Sequence, residues 1–205
     1  MNVHEHAPRQ FVGGDLIHCA GARGPLWRVL EGTVRLHSGP PDAPRIAQIA
    51  IAGDLVGVDA LCRRPYRFEA RALTACRLRP EPVTDLGAGR DLMCEALVRQ
   101  QERALDMAEL RIGPVTRRVD RLLEMMRLDK CTVPRRGHVL ADPTRQGLPT
   151  LRELAQIVDA SPETVCRALA QIRAQRCTRG AAARPRGRAG GRQRDTVGQR
   201  VSADR

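Results

Sequence analysis

LRELAQIVDASPETVCRAL, residues 151–169, divides into two apolar-periodic segments about a single turn. In the first, Leu154, Ile157 and Val158 share one helical face, and Ala155 is small where a second helix would cross closely. Asp159-Ala160 makes the turn. Ser161 is a good N-cap, Pro162 fits the first helical position, and Glu163 complements the positive end of a helix dipole. In the second segment Val165, Ala168, Leu169 and Ile172 form an inward stripe. Glu163, Thr164, Cys166, Arg167, Ala170 and Gln171 are left on or near the outer face. Two helices so joined suit a unit whose second helix enters the major groove. There Arg167 donates two hydrogen bonds to guanine, and Glu163, four residues earlier, accepts from cytosine. The same spacing also describes a plain helical hairpin with a surface Glu163–Arg167 pair worth roughly a few tenths of a kcal/mol.

Upstream, the pattern changes twice. From residue 11 to about 83, short apolar runs are punctuated by Gly and Pro. LWRVL (26–30) passes through Glu31-Gly32 into TVRL (33–36), which predicts two strands across a tight turn. Residues 45–52 predict another strand and 67–78 one or two more, together a sandwich or jelly roll. Over 91–112 good helix formers dominate, with Met93, Leu97, Ala104 and Met107 as an imperfect apolar stripe interrupted by Gln100. This helix either covers the sheet or pairs with a second copy, and its pattern favours neither. Gly113-Pro114 ends it, and Val115, Val119, Leu122, Leu123 and Met126 form a cleaner face on the next helix. Between 130 and 149 several Pro and Gly predict a connector or short hairpin.

Composition narrows the class. Of 205 residues 42% are apolar but only 2% aromatic, so the core is aliphatic. The net charge of +12 suggests a polyanionic partner, nucleic acid before membrane surface. Nine Arg against two Asp after residue 175 place +7 of that charge in the tail. Seven scattered cysteines without a C-x-x-C fit a reduced cytoplasm. Residues 1–11 lack the apolar run of a signal peptide, and 46–61, broken by Gly53-Asp54, falls short of a membrane span. A cytoplasmic protein without membrane attachment is expected. No Ser/His/Asp set, metal-ligand spacing or phosphate loop is present, which argues against an enzyme.

Residues 151–169 resemble the helix-turn-helix of the Crp–Fnr superfamily of bacterial transcription regulators, whose recognition helices carry E-T-[VI]-x-R. AGDLVGVDAL (52–61) is similar to the Fnr branch's segment between sensor strands, and Glu31-Gly32-Thr33-Val34 fits the family's x-G-x-[VI] sensor hairpin. The resemblance spans 11 to about 174. It implies an α+β fold: a jelly-roll, cyclic-nucleotide-binding-like sensor (1–88), a dimerisation helix (89–112), and a helix-turn-helix DNA-binding domain (113–175). It implies as partners double-stranded DNA with a two-fold symmetric site, RNA polymerase and a second copy of the chain, in the manner of an activator. The implied DNA-binding residues are Glu163 and Arg167, with Cys166, Ser161, Thr164 and Gln171. In the Fnr branch Glu, Ser and Arg of E-x-x-S-R read the bases. Cys166 stands at the Ser position, and a thiol is the weaker donor and acceptor.

The resemblance also frames the effector, which stays unknown. Val58 stands where cyclic-AMP binders carry a ribose-binding Glu, and Tyr66-Arg67 where they carry Arg-Ser, so cyclic AMP is disfavoured. Only Cys19 precedes Cys62, which disfavours an iron–sulfur cluster. Haem stays open through His18, Cys19, His37 and Cys76, and oxidation of Cys166 is a further option. After residue 174 the family has a β-hairpin wing, but CTRGAAARPRGRAGGRQR (177–194) holds no β-branched apolar residue. Residues 176–205 are therefore expected to be a degenerate wing and disordered tail, able to contact phosphates without sequence preference. A nonspecific nucleic-acid binder acting through that tail is the alternative function.

Overall fold

Short apolar runs between turn residues build the N-terminal half, among the described residues, into eight strands: β1 (Arg9–Phe11), β2 (Leu16–His18), β3 (Leu26–Glu31), β4 (Thr33–Ser38), β5 (Arg45–Ile51), β6 (Leu55–Val56), β7 (Glu69–Ala72) and β8 (Cys76–Glu81). The computed structural model describes residues 7–39, 42, 44–128 and 149–182, with side chains of the last helix up to Gln175. The strands form two antiparallel sheets, ordered β1-β8-β3-β6 and β2-β7-β4-β5. Trp27, Val29 and Leu78 of the first meet Val34, Leu36, Ala50, Ala70 and Ala72 of the second in one apolar core. Trp27, the sole tryptophan, lies edge-on to Phe11 with ring centroids 6.2 Å apart, and the Arg9 guanidinium sits 5.4 Å from its ring.

The hairpin expected across Glu31-Gly32 is not one. β3 and β4 belong to different sheets, and Gly32 is the corner where the chain crosses between them. Its φ is +79°, and a Cβ there would stand 2.2 Å from the Ala75 carbonyl oxygen and 2.6 Å from Cys76 Cβ. The turn is tight because two backbones converge, a requirement that looks like a hairpin signal in sequence.

Among the described residues four α-helices follow: α1 (Leu86–Glu109), α2 (Val115–Met125), α3 (Leu151–Ile157) and α4 (Pro162–Ala182). α1 is capped by Asp85, whose Oδ1 accepts the Ala88 N–H at 2.8 Å, so it spans 86–109 rather than 89–112. It is fixed to the sandwich largely by charge. Arg28 of β3 donates to both carboxylate oxygens of Glu95, at 2.6 and 2.9 Å, and to Glu81 at 2.7 Å. Buried Arg103 donates to Asp106, and its Nε lies 3.0 Å from Asp54 Oδ2, an ionic contact outside hydrogen-bond alignment. Burial pushes the Asp54 carboxyl above the usual range, against the pull of the Ile51 N–H and of Arg103.

Arg103 also explains why the apolar stripe expected on α1 is misplaced. Of Met93, Leu97, Ala104 and Met107 only Met107 is buried, beside Arg103 and Leu110. The opposite face, with Cys94, Val98, Gln101, Leu105 and Ala108, is exposed, as is Ile112 just beyond the helix; Val98, Leu105 and Ile112 are 56%, 70% and 72% accessible.

The helices close a second core. Val119, Leu122 and Leu123 of α2 join Leu154 and Ile157 of α3, Val165, Leu169 and Ile172 of α4, and Met107 and Leu110 at the end of α1. Ile46, Ile49 and Leu73 of the sandwich belong to the same cluster. β5 is thus covered on both faces, which accounts for its nearly unbroken apolar sequence RIAQIAI. α4 continues to Ala182, so the first residues of the tail, expected to lack structure, are helical instead. Alanine, arginine and glutamine are good helix formers, and no proline intervenes before residue 185. The expected wing replacement from 183 onward and the connector at 129–148 lie outside the described residues.

Gly32→Ala meets both a left-handed backbone and a backbone contact. It is expected to cost about 2–3 kcal/mol, read as a lowered urea midpoint. An unchanged midpoint would mean that the corner is not tight.

Candidate nucleic-acid interface

α3 is seven residues long, too short to persist alone, and both its ends are held. At the N-terminus Thr150 Oγ1 accepts the Glu153 N–H at 3.2 Å while Glu153 Oε2 accepts the Thr150 N–H at 2.7 Å, a capping box. At the C-terminus Arg118 of α2 donates to the carbonyls of Val158 and Asp159, at 2.6 and 3.3 Å. The turn passes through Asp159 at φ +50°, with the Ala160 N–H donating to the Ala155 carbonyl at 3.0 Å. Leu154, Ala155, Ile157 and Val158 are all buried, as are Val165, Ala168, Leu169 and Ile172 of α4. These two segments therefore pack as their periodicity predicts.

α4 opens at the expected residue. The Thr164 N–H donates to Ser161 Oγ at 3.3 Å, the two hydroxyls lie 3.0 Å apart, and Arg167 Nη2 donates to Thr164 Oγ1 at 3.3 Å. Ser161, Thr164 and Arg167 thus form one hydrogen-bonded chain along the start of the helix. Glu163 and Arg167 are exposed on it, and Cys166 is half-buried. The Glu163 carboxyl is held below its ordinary range by its own backbone N–H at the helix start, then by the Ser161 hydroxyl, and by the charge of Arg167. It is an anion at neutral pH. Gln171 differs from the other five: its Oε1 accepts from Thr116 Oγ1 of α2 at 2.8 Å, so its side chain is tied to the neighbouring helix. The face offers, in order, an acceptor, a hydroxyl and a guanidinium, the chemistry that base edges in a major groove recognise.

Three residues that position this face are not singled out by the sequence reading. T-x-x-E at 150–153 is a local capping signal and could have found Thr150. Arg118 and Thr116 act across some forty to fifty-five residues, and nothing local marks their partners.

The sandwich carries a separate cavity of about 380 Å³ against α1, lined by Leu36, Leu55, Val58, Leu61, Met93 and Leu97, with Arg64, Arg67 and Asp59 also bordering it. Gln48 and Gln100 exchange hydrogen bonds at 2.8 and 3.2 Å beside it. Val58 contributes only apolar surface there. Tyr66 does not line the cavity: it is buried, donates to the Pro25 carbonyl at 2.7 Å and stacks on His18 at 3.8 Å between centroids. The carboxylate present is Asp59, whose Oδ2 accepts the Arg67 N–H at 3.0 Å. The four residues that keep haem open are dispersed: His18 is buried against Tyr66 and Cys19 is exposed. Cys76 lies in the sandwich core, where burial pushes its thiol up to about 12, and His37 sits on the outer sheet face. Among the described residues no group of three His, Cys, Asp or Glu is arranged to hold a metal ion. No helix among them is long and apolar enough to cross a membrane.

No protein-family model and no curated protein matches the chain. Solved structures do. A CRP-family transcriptional regulator from Thermus thermophilus is 25% identical, covers 82% of this chain and 85% of its own, and superposes with a TM-score of 0.59. A CRP/FNR-family transcriptional regulator from the same organism is 23% identical over 82% and 87%, with a TM-score of 0.56. FixK2 from Bradyrhizobium japonicum is 21% identical over 83% and 85%, again with a TM-score of 0.56. The likeness runs through both the sandwich and the helices.

Ser161→Ala removes the cap on α4 and is expected to lower stability by about 1 kcal/mol, whereas Ser161→Gly costs only a few tenths. Thermal unfolding followed by far-ultraviolet circular dichroism checks the order; equal losses would show that the hydroxyl does not cap.

Proposed function

We propose that this chain, a Crp–Fnr superfamily regulator by fold and neighbours, binds promoter DNA in a sequence-specific manner through the start of α4. The observation that carries the reading is the exposed Glu163–Arg167 face, held in place by the Ser161 cap and by the Arg118 clamp on α3. Glu163 and Arg167 are assigned to base edges, Thr164 and Ser161 to orienting Arg167 and to phosphate oxygens, and Cys166 to the edge of the same face. Gln171, bound to Thr116, is assigned to holding α4 against α2. The Fnr-like branch fits these residues, with Cys166 in place of Ser. The neighbours do not favour a nonspecific binder acting through the Arg-rich tail.

The same reading makes α1 the seam of a homodimer, which a two-fold symmetric site needs. Cys94, Val98, Gln101, Leu105 and Ala108 recur at alternating spacings of four and three along one exposed face. That is the repeat of two helices packed side by side. The effector of the sandwich cavity and contact with RNA polymerase are further parts of this reading. The cavity's lining suits a ligand with a substantial apolar body.

Selection from a random pool of duplexes is expected to recover a symmetric site. Arg167→Ala is then expected to lose about 1–3 kcal/mol of discrimination at one base pair per half-site, with little change elsewhere. An unaltered preference would overturn the assignment.

Leu105→Asp places a charge in the middle of the α1 face. Sedimentation is expected to show monomers where the wild type gives dimers, with weakened binding to the full symmetric site. A dimer that survives this substitution would move the seam away from α1.

A further inference from the structure

The outer face of the sheet β2-β7-β4-β5 has a region that the helices do not cover. Val34, Leu36, Ala70 and Ala72 face the sandwich core. The alternation of a strand therefore turns Arg35 and His37 of β4, and Glu69 and Arg71 of β7, outward. With Arg67 they wall an open groove of about 880 Å³. Three guanidinium groups thus meet one carboxylate within it, and a second carboxylate, Glu153, stands at its edge. Arg71 donates to Glu69 at 2.6 Å and to the Gly14 carbonyl at 3.3 Å. Arg67 enters no ion pair among the described residues. Arg35 donates to Glu153, the capping-box residue of α3, through Nη1, while its Nε is buried without a hydrogen-bond partner. His37 Nε2 is likewise buried and unpartnered. Its burial, and then the charge of Arg35, hold the imidazole below its ordinary pKa, so at neutral pH it adds a donor or acceptor and no charge. Arg35, Arg67 and Arg71 thus line one groove open to solvent, a concentration of guanidinium groups that suits a multiply charged anion.

We propose that this groove binds a compact phosphate-class polyanion held by Arg35, Arg67 and Arg71, and that the anion competes with Glu153 for Arg35. Arg35 is the hinge of the proposal, because its guanidinium faces both the groove and α3. An anion that draws it off Glu153 removes the one charged link between strand β4 and the first helix of the DNA-reading pair. By reciprocity, whatever loosens that link favours the anion. The binding site does not depend on the reading of α4 as a DNA contact; only its regulatory consequence rests on that reading.

Calorimetric titration of the full chain with inorganic pyrophosphate, at constant ionic strength, tests this. One saturable site per chain is expected. Arg67→Gln and Arg71→Gln are each expected to weaken it about tenfold, the loss of one charge-assisted hydrogen bond. Glu153→Gln keeps the capping box but drops the competing charge, and is expected to tighten binding several-fold. Three results would overturn the proposal. One is the absence of saturable heat at millimolar pyrophosphate. Another is binding indifferent to Arg67 and Arg71, which would place it on the arginines after residue 175. The third is a Glu153→Gln variant that binds no better than wild type. Loss of sequence preference for DNA in the wild type would sink the proposed function and leave these titrations unchanged.

Discussion

Two isoleucines on the outer face of one strand hold the molecule together. Ile46 and Ile49 of β5, with Leu73, stand under the helical unit and complete its core. Burying each contributes roughly 1.5–3 kcal/mol, and the helices have little else to rest on. α3 makes less than two full turns of helix, and its burial depends on a floor that the sandwich supplies. The β5 strand is in turn spared an exposed apolar face. Sheet and helices are therefore coupled by packing, and the Arg35–Glu153 pair adds direction to a contact that apolar surface alone would leave loose.

α1 joins these parts by a different principle. Its inward line contains Arg103, set against Asp54 and Asp106 rather than against hydrocarbon. Taking such charges out of water costs several kcal/mol per ion, which mutual attraction offsets only where the geometry is tight. Such a pair adds little to stability and much to register, because a one-residue slip would strand a buried charge. Arg28, forked onto Glu95, fixes the same helix nearer its start. With part of its inner face committed to these pairs, α1 leaves Val98 and Leu105 outside.

How much of this is legible in the sequence follows from how local each determinant is. The α3–α4 pair reads correctly because periodicity, an N-cap and a proline at the first helical position all lie within nineteen residues. The strands are marked by their turns. The corner at Gly32 reads as a hairpin, since a left-handed glycine between two apolar runs looks the same whether the runs pair or part; only the proximity of Ala75 and Cys76 separates the cases. The α1 stripe is misplaced in the sequence reading because its inward position is an arginine, whose partner lies in a loop some fifty residues away. At the start of α4, Ser161, Glu163, Thr164 and Arg167 stand together as their spacing implies. The tether on Gln171 depends on α2 and has no sequence signal.

The scarcity of aromatic residues has a practical consequence. Trp27 is the chain's only indole, and it lies in the first sheet, between Phe11 and the Arg9 guanidinium, in the sandwich core and not in the core that α2, α3 and α4 share. Its emission is thus an optical reporter of one body alone. Loosening of α3 and α4 would leave the fluorescence nearly silent while amide circular dichroism fell. A divergence between the two signals during unfolding would measure, without any label, how firmly Ile46 and Ile49 make the sandwich and the helices melt as one.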